Sequence, residues 1–283
     1  MDRAVALIVN PNAGGGRAAE ALPVVEATLT RLGLRFHTER TTSLEHAQEL
    51  ARVAVAAGET VAALSGDGLI GKLAGELAGT DGVLAVLPGG RGNDLARALD
   101  IPHDPEAAAQ VLATGRIREL DLGEVDGRPY IGIASCGFDS DANRIANEAP
   151  PALGNLVYAY GALRALAAWK PARFELTLDG RGLAFSGYSV AVANSPRYGG
   201  GMYMAPSAEL DDGMLEVRVE EHRVRPMIRC SVWTNATWCG ASARWSRAPT
   251  TGCLGLHQQT PRAKQLRLET EIIVLQAERR HAE

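Results

Sequence analysis

The sequence predicts an α/β fold in which a parallel-sheet domain comes first and a mainly antiparallel domain follows. Two rhythms carry this. Up to about residue 122, short apolar runs alternate with stretches whose apolar residues fall three and four apart, the signature of strands buried on both faces and helices covering them. From Ile117 onward the chain changes to short strands set around Asp-Gly turns, a strong hairpin signal. A third observation joins them: the apolar runs beginning at Val5, Val61 and Val83 each lead into a glycine-rich loop and then a helix-like stretch.

Val5 to Val9 reads as the first strand, and Ala18 to Leu32 as a helix with Leu22, Val25, Leu29 and Leu32 on one face. Arg35 to Thr38 is a short strand. Ser43 is a suitable N-cap for a helix running to Ala57, which Gly58 ends. Strand Val61 to Leu64, helix Leu69 to Ala78, strand Val83 to Leu87, and helices Asn93 to Leu99 and Pro105 to Ala113 complete the first half. In the second half, strands are expected over Leu120 to Val125, Tyr130 to Ala134, Phe174 to Leu178, Gly187 to Ala193 and Met214 to Val219. Turns are expected at Asp126-Gly127 and Asp179-Gly180. One helix, Asn155 to Trp169, interrupts them. Its stripe of Leu156, Tyr160, Leu163, Leu166 and Trp169 reads as core-facing, with lining of a lipid path as the other reading.

With 283 residues and 46% hydrophobic content, the chain can support two domains. No run approaches the roughly 20 apolar residues of a spanning helix, and the N-terminus has no signal-peptide pattern, so a cytoplasmic location is expected. Four scattered cysteines exclude a disulfide framework, and Cys136 reads as a small buried hydrophobe. A net charge of -4 argues against bulk nucleic-acid binding. The average hides an asymmetry: residues 1–221 carry 19 Lys and Arg against 29 Asp and Glu, whereas residues 222–283 carry 10 against 4. That tail also holds three of the four tryptophans and no aspartate.

The chemistry is in the three loops, Asn10 to Arg17, Ser65 to Gly68 and Leu87 to Asp94. Glycines let a backbone approach a polyphosphate closely, the helix starts that follow offer unpaired N–H groups, and an aspartate can hold the magnesium that accompanies a nucleotide. In parallel sheets, ligands sit beyond the carboxyl ends of the strands, where all three loops lie. The first reading is a nucleotide-dependent phosphotransferase. Simpler alternatives stand beside it: a strand-to-helix turn for the first loop, a surface turn for Asp67, and a helix cap for Asn93 and Asp94. The Arg91 guanidinium suits phosphate oxygens.

The ordered motifs Asn-Pro-x-x-Gly-Gly, Gly-Asp-Gly, Leu-Pro-x-Gly-x-x-Asn-Asp-x-x-Arg (Leu87 to Arg97), and Gly199-Gly200 through Pro206 to Asp211-Asp212-Gly213-Met214-Leu215 resemble the bacterial diacylglycerol kinase and lipid kinase family, relatives of sphingosine kinases and NAD kinases. The resemblance runs from Val5 to about Val219. It implies an α/β nucleotide-binding domain over 1–120, a β-sandwich lipid-substrate domain over 121–221, and an active site in the cleft between them. The implied reaction moves the γ-phosphoryl group of ATP, with Mg2+, to a hydroxyl of diacylglycerol or a related lipid. By the same resemblance Asn10, Asn12, Gly15 and Thr41 lie near the nucleotide. Ser65, Gly66, Asp67, Gly68, Leu69 and Gly71 wrap its phosphates with Gly90 and Arg91. Asp67, Asn93 and Asp94 are the catalytic set, and Asp212 with the carbonyls of Glu209 and Met214 forms a structural magnesium site. The implied partner is a lipid substrate met by peripheral contact at the inner membrane face, with no nucleic acid, no transmembrane segment, and a homodimer left open.

Departures from the family pattern matter. The usual run Gly-Gly-Asp-Gly-Thr-x-Asn-Glu here has Ser65, Leu69, Gly71 and Lys72 in place of its first glycine, threonine, asparagine and glutamate. Lys72 either restores positive charge near the phosphates or is a solvated surface residue. The family's late acidic turn has no counterpart, since beyond residue 222 the acids are Glu269, Glu271, Glu278 and Glu283 only. Together with the odd composition of 222–283, this suggests a tail encoded out of frame and a second domain short of its last strands. Nucleotide binding with impaired turnover is then expected. An inactive nucleotide-binding module and an NAD kinase-like phosphotransferase are the alternatives.

Overall fold

β1 (Val5–Val9) is buried at every position, and that fixes it at the centre of a parallel sheet. The computed structural model describes residues 3–149, 156–168, 172–178, 181–221 and 243–244. They divide into two units, the first holding the described residues up to Ile133 together with Asn194–Met214, the second holding those of Ala134–Ala193 and the described residues from Leu215 onward.

In the first unit, β2 (Phe36–Arg40), β1, β3 (Thr60–Ser65) and β4 (Val83–Pro88) lie side by side in that order, all parallel. Val5 pairs with both Phe36 and Thr60, and Thr60 with Val83. Alternating residues of β1 then feed two layers, because successive strand side chains point to opposite faces. Val5, Leu7 and Val9 pack with Ala18, Leu22, Val25 and Leu29 of α1 (Arg17–Arg31) and with Ala108, Ala109 and Leu112 of α5 (Pro105–Thr114). Ala6 and Ile8 pack with Ala47, Ala51 and Ala54 of α2 (Leu44–Ala56) and with Ile70, Leu73 and Leu77 of α3 (Asp67–Leu77). A short α4 (Asp94–Ala98) follows β4. The hairpin β5 (Gly123–Val125) and β6 (Arg128–Tyr130) closes on Asp126 and Gly127, both at positive φ, as its turn chemistry requires.

In the second unit, β9 (Arg181–Ala193) is the organising strand. It pairs antiparallel with β8 (Ala172–Leu178) and with β12 (Glu216–Glu221), and β7 (Ile133–Gly137) and β13 (Ala243–Arg244) complete the described sheet. Phe174 and Phe185 stack across the β8–β9 pair at 5.2 Å. A helix pair, α6 (Phe138–Glu148) and α7 (Val157–Ala168), packs together. Cys136 is only half-buried, not enclosed.

Four features differ from the expectations above. α6 falls between Ala134 and Asn155, where no element was expected: its apolar residues Phe138, Ala142, Ile145 and Ala146 do have helical spacing, but seven polar residues mask it. β9 starts at Arg181, six residues before the expected Gly187. Residues 194–214, expected with the second domain, cluster with the first unit. There they carry the small hairpin β10 (Arg197–Tyr198) and β11 (Met202–Tyr203), and Asn194 stitches them down. The buried Asn194 amide donates to the carbonyls of Asp121 (2.7 Å) and Ile131 (3.1 Å), and its backbone N–H to that of Gly132 (2.9 Å). Finally, the leucine stripe of α7 faces solvent, because the helix packs through its small residues instead. Leu156, Leu163 and Leu166 are exposed while Gly161 and Ala165 are covered.

The expectations for residues 222–283, including a missing late acid and an out-of-frame tail, lie outside the described residues except at Ala243–Arg244.

Candidate functional site

Helix N-termini divide into two kinds. α2 and α5 are capped by side chains, Ser43 accepting from the His46 N–H (3.1 Å) and Asp104 from the Ala107 N–H (2.9 Å). α1, which follows β1 after a loop with a 3-10 turn at Ala13–Gly15, and α3, which opens directly after β3, have Gly16 and Gly66 at their N-caps and no side-chain cap. Among the described residues no side chain caps their first-turn N–H groups, which lie at the carboxyl edge of the sheet, the arrangement that receives anions.

The three loops meet at that edge. A methyl group on Gly14 would come to 2.5 Å from the Gly89 carbonyl oxygen, and one on Gly90 to 2.5 Å from Gly66 Cα. The Gly89 N–H donates to the carbonyl of Ser65 (2.8 Å), extending the β3–β4 register one residue into the loops. Only glycine at position 90 permits so close a crossing of two backbones.

Asp67 begins α3. One carboxylate oxygen accepts from the Leu95 N–H (3.0 Å), capping α4 from a different loop. Its other oxygen and one from Asp94 both lie 3.2 Å from the place a Gly92 methyl would fill, so those two oxygens are at most about 6.4 Å apart. Asp94 is oriented by the Gly200 N–H (3.0 and 3.1 Å) and the Gly201 N–H (2.6 Å). Burial raises the Asp94 pKa, and the Asp67 charge adds to the rise, against the N–H donors of Gly200 and Gly201 and the Arg97 cation. The free Asp67 oxygen, beside the uncapped start of α3, fits a small divalent cation held partly by protein and partly by phosphate, and the Asp94 oxygen faces the same space from across Gly92.

The other expected residues take varied places. Asn93, in a left-handed conformation, accepts from the Gly90 N–H (2.8 Å) and donates to the Gly90 carbonyl (3.1 Å), so its amide closes the loop upon itself. Asn10 accepts from the Asn12 N–H (3.1 Å), folding the first loop, while Asn12 and Gly15 are exposed. Thr41 is buried where β2 ends, its N–H donating to Val9 O (2.8 Å). Ser65 is buried, Gly68 exposed, and Leu69 leans on the α2/α3 core layer, while a methyl on Gly71 would stand 3.8 Å from Ile131. Arg91 and Lys72 are exposed and form no ion pair among the described residues. Glu209, Asp212 and Met214 belong to a separate turn of the first unit. Asp212 accepts from the Met214 N–H (2.9 Å), Asp211 pairs with Arg118 (2.8 Å), and the buried Asp121 carboxylate accepts from the Gly213 N–H.

Gly92, Gly201 and His103 are not among the residues the sequence points to, and Gly200 enters there only as part of a motif. Arg97 was quoted as the end of its motif, yet its guanidinium donates to the Gly92 carbonyl (3.2 Å) and so holds the loop beneath both carboxylates. His103 lies in their field: burial lowers its pKa and Arg97 lowers it further, while Asp67 and Asp94 oppose.

Residues 4–125 match the diacylglycerol kinase catalytic domain family, and residues 132–231 the YegS C-terminal NAD kinase beta sandwich-like domain. A diacylglycerol kinase of Mycobacterium tuberculosis (strain H37Rv) is 30% identical over 265 residues, covering 91% of this chain and 85% of that protein. The chain belongs to the diacylglycerol kinase and YegS-like lipid kinase family. Within this lipid kinase family, a diacylglycerol kinase of Bacillus subtilis (strain 168) is 31% identical over 222 residues, 75% of this chain and 72% of that protein. A YegS-like lipid kinase of Serratia proteamaculans is 29% identical, covering 93% and 90%. The fold of this family member is also similar to the crystal structure of a diacylglycerol kinase from Bacillus anthracis, with a TM-score of 0.65 and 25% identity over 77% of this chain and 74% of that one. Among the described residues, no helix is long and apolar enough to cross a membrane.

Proposed function

We propose that this lipid kinase transfers the terminal phosphoryl group of ATP, with Mg2+, to a hydroxyl of diacylglycerol or a related lipid. The observation that carries the reading is the convergence of Asp67 and Asp94 over Gly92, beside the uncapped start of α3. Phosphoryl transfer needs positioning and charge neutralisation more than covalent chemistry, and backbone N–H groups, a cation and nearby arginines supply both. Bound magnesium would neutralise charge on the phosphates, and the second carboxylate oxygen of Asp67 would hold it. Arg91 and the N–H groups at the starts of α1 and α3 would grip the phosphate oxygens, with Asn10, Asn12, Gly15 and Thr41 along the nucleotide. Asp94, made more basic by burial, takes the proton as the lipid hydroxyl oxygen bonds to the γ-phosphorus and the bond to the departing ADP oxygen breaks. Asn93 acts by holding Gly90 and the loop in shape. Asp212, with the carbonyls of Glu209 and Met214, would take a second, structural magnesium.

Incubation with labelled ATP, Mg2+ and diacylglycerol vesicles should give labelled phosphatidic acid, and incubation with NAD in place of lipid should give no labelled dinucleotide. Labelled NADP, or no transfer to either acceptor, would overturn the reading. Gly92→Ala, whose methyl crowds both carboxylates, should lower kcat/KM by ~10²-fold or more in the same assay.

A further inference from the structure

We propose that Arg197 is a positioning residue for Asp94, because its guanidinium fixes the glycine loop whose N–H groups aim that carboxylate. The inference rests on the kinase reading, in which Asp94 takes the proton of the acceptor hydroxyl. Gly199, Gly200 and Gly201 stand in succession at φ 60°, 88° and 108°. Such a left-handed run is open to glycine and costly to hold, since glycine loses the most backbone freedom on ordering. The hairpin around it is slight. β10 and β11 pair only Arg197 with Tyr203 and Tyr198 with Met202, and strands so short are marginal by themselves. Yet the N–H groups of Gly200 and Gly201 are the donors that orient Asp94, at 3.0 and 2.6 Å.

Arg197 supplies the stiffness that the glycines lack. One guanidinium nitrogen donates to the Gly201 carbonyl (3.1 Å) and another to the Tyr203 hydroxyl, and the guanidinium carbon lies 4.1 Å from the centre of the Tyr203 ring. The planar fork thus ties the residue that enters the loop to the two that leave it. From the other side Gly201 rests near Arg97, since a methyl there would stand 3.4 Å from Arg97 Cδ. The charges that bear on Asp94 are those of Asp67 and Arg97, so Arg197 reaches it through the loop rather than by its own field.

A double-mutant cycle in the full chain tests this, with ATP, Mg2+ and diacylglycerol vesicles as substrates. Arg197→Met should lower kcat by ~10-fold with KM for ATP unchanged, and in an Asp94→Asn background the same change should cost nothing further. Arg197→Lys, which keeps the charge without the planar fork, should behave as the Met variant does. Amide hydrogen exchange followed by NMR should be ~10-fold faster at Gly200 and Gly201 in both Arg197 variants than in wild type. An equal loss of kcat in the two backgrounds would overturn the proposal, as a general structural effect is what that result reports. So would a fully active lysine variant, or unchanged exchange at both glycines. Failure of wild type to phosphorylate diacylglycerol would instead strike the kinase reading, and the exchange rates, which need no turnover, still decide whether Arg197 holds the donors of Asp94.

Discussion

Asp94 illustrates how a residue proposed to act in the reaction works against the fold that holds it. Its pKa is raised by burial and by Asp67, so its ionised form is less favoured in the folded chain than in the unfolded one. The stability it contributes is full below the ordinary carboxylate value of 3.8 and is lost as pH rises through the higher folded value. Asp94→Asn, which keeps an oxygen for the Gly200 and Gly201 N–H groups, should therefore melt at or above wild type at pH 7. The difference should shrink as pH falls below about 4, while kinase activity drops by ~10²-fold or more. Melting curves across pH decide it; an Asn variant that is least stable relative to wild type near neutrality would refute the assignment. Sequence made Asp67 and Asp94 legible because glycines flank the one and lead into the other, leaving little bland purpose for a carboxylate. It concealed Gly92 and Gly200, whose contribution is the absence of a side chain or the direction of an N–H, properties that appear only once loops distant in sequence are brought together.

At the scale of elements, the parallel half was readable because each strand is a continuous apolar run and each long helix has one apolar side. β1 and α2 match their expected spans to within a residue or so. The second half was less so. α6 hides four apolar residues among acids, asparagines and arginine, and β9 opens with Arg181-Gly182, which reads as the remainder of a turn. α7 was recognised but oriented wrongly, since periodicity identifies a stripe without saying whether leucines or small residues meet the neighbouring helix. The loop crossing is an element-level feature with a clear test. Gly90→Ala would drive a methyl to 2.5 Å from Gly66 Cα and 2.9 Å from the Asn93 carboxamide oxygen, where backbone must move. Overpacking of that kind costs about 1–3 kcal/mol. Denaturant unfolding should show a loss of that size, with nucleotide binding weakened because β3 and β4 no longer deliver their loops together.

For the molecule as a whole, the chain order does not follow the division into units. The first unit needs Asn194–Met214, which supply the two N–H donors to Asp94 and the Asn194 stitches to Asp121 and Ile131. A fragment of residues 1–133 should therefore lack a cooperative thermal transition that the full chain shows, as followed by circular dichroism. A sharp, native-like transition in the fragment would show that the returning segment is dispensable. Sequence rhythm placed this segment with its neighbours, as sequence-adjacent stretches usually pack together. Asn194, which makes the stitches, is in sequence only an asparagine at the end of an apolar run, and nothing there announces which carbonyls it will find.

That returning segment also sets a schedule. A ribosome that has just completed Ile133 must add some eighty more residues before Met214 exists, roughly 4–16 s at ~5–20 residues per second. Throughout that interval the nascent chain displays a nearly complete parallel sheet with Asp94 still unanchored. Synonymous codon changes that slow translation across 134–193 should lengthen that window and raise the share of product that needs chaperones.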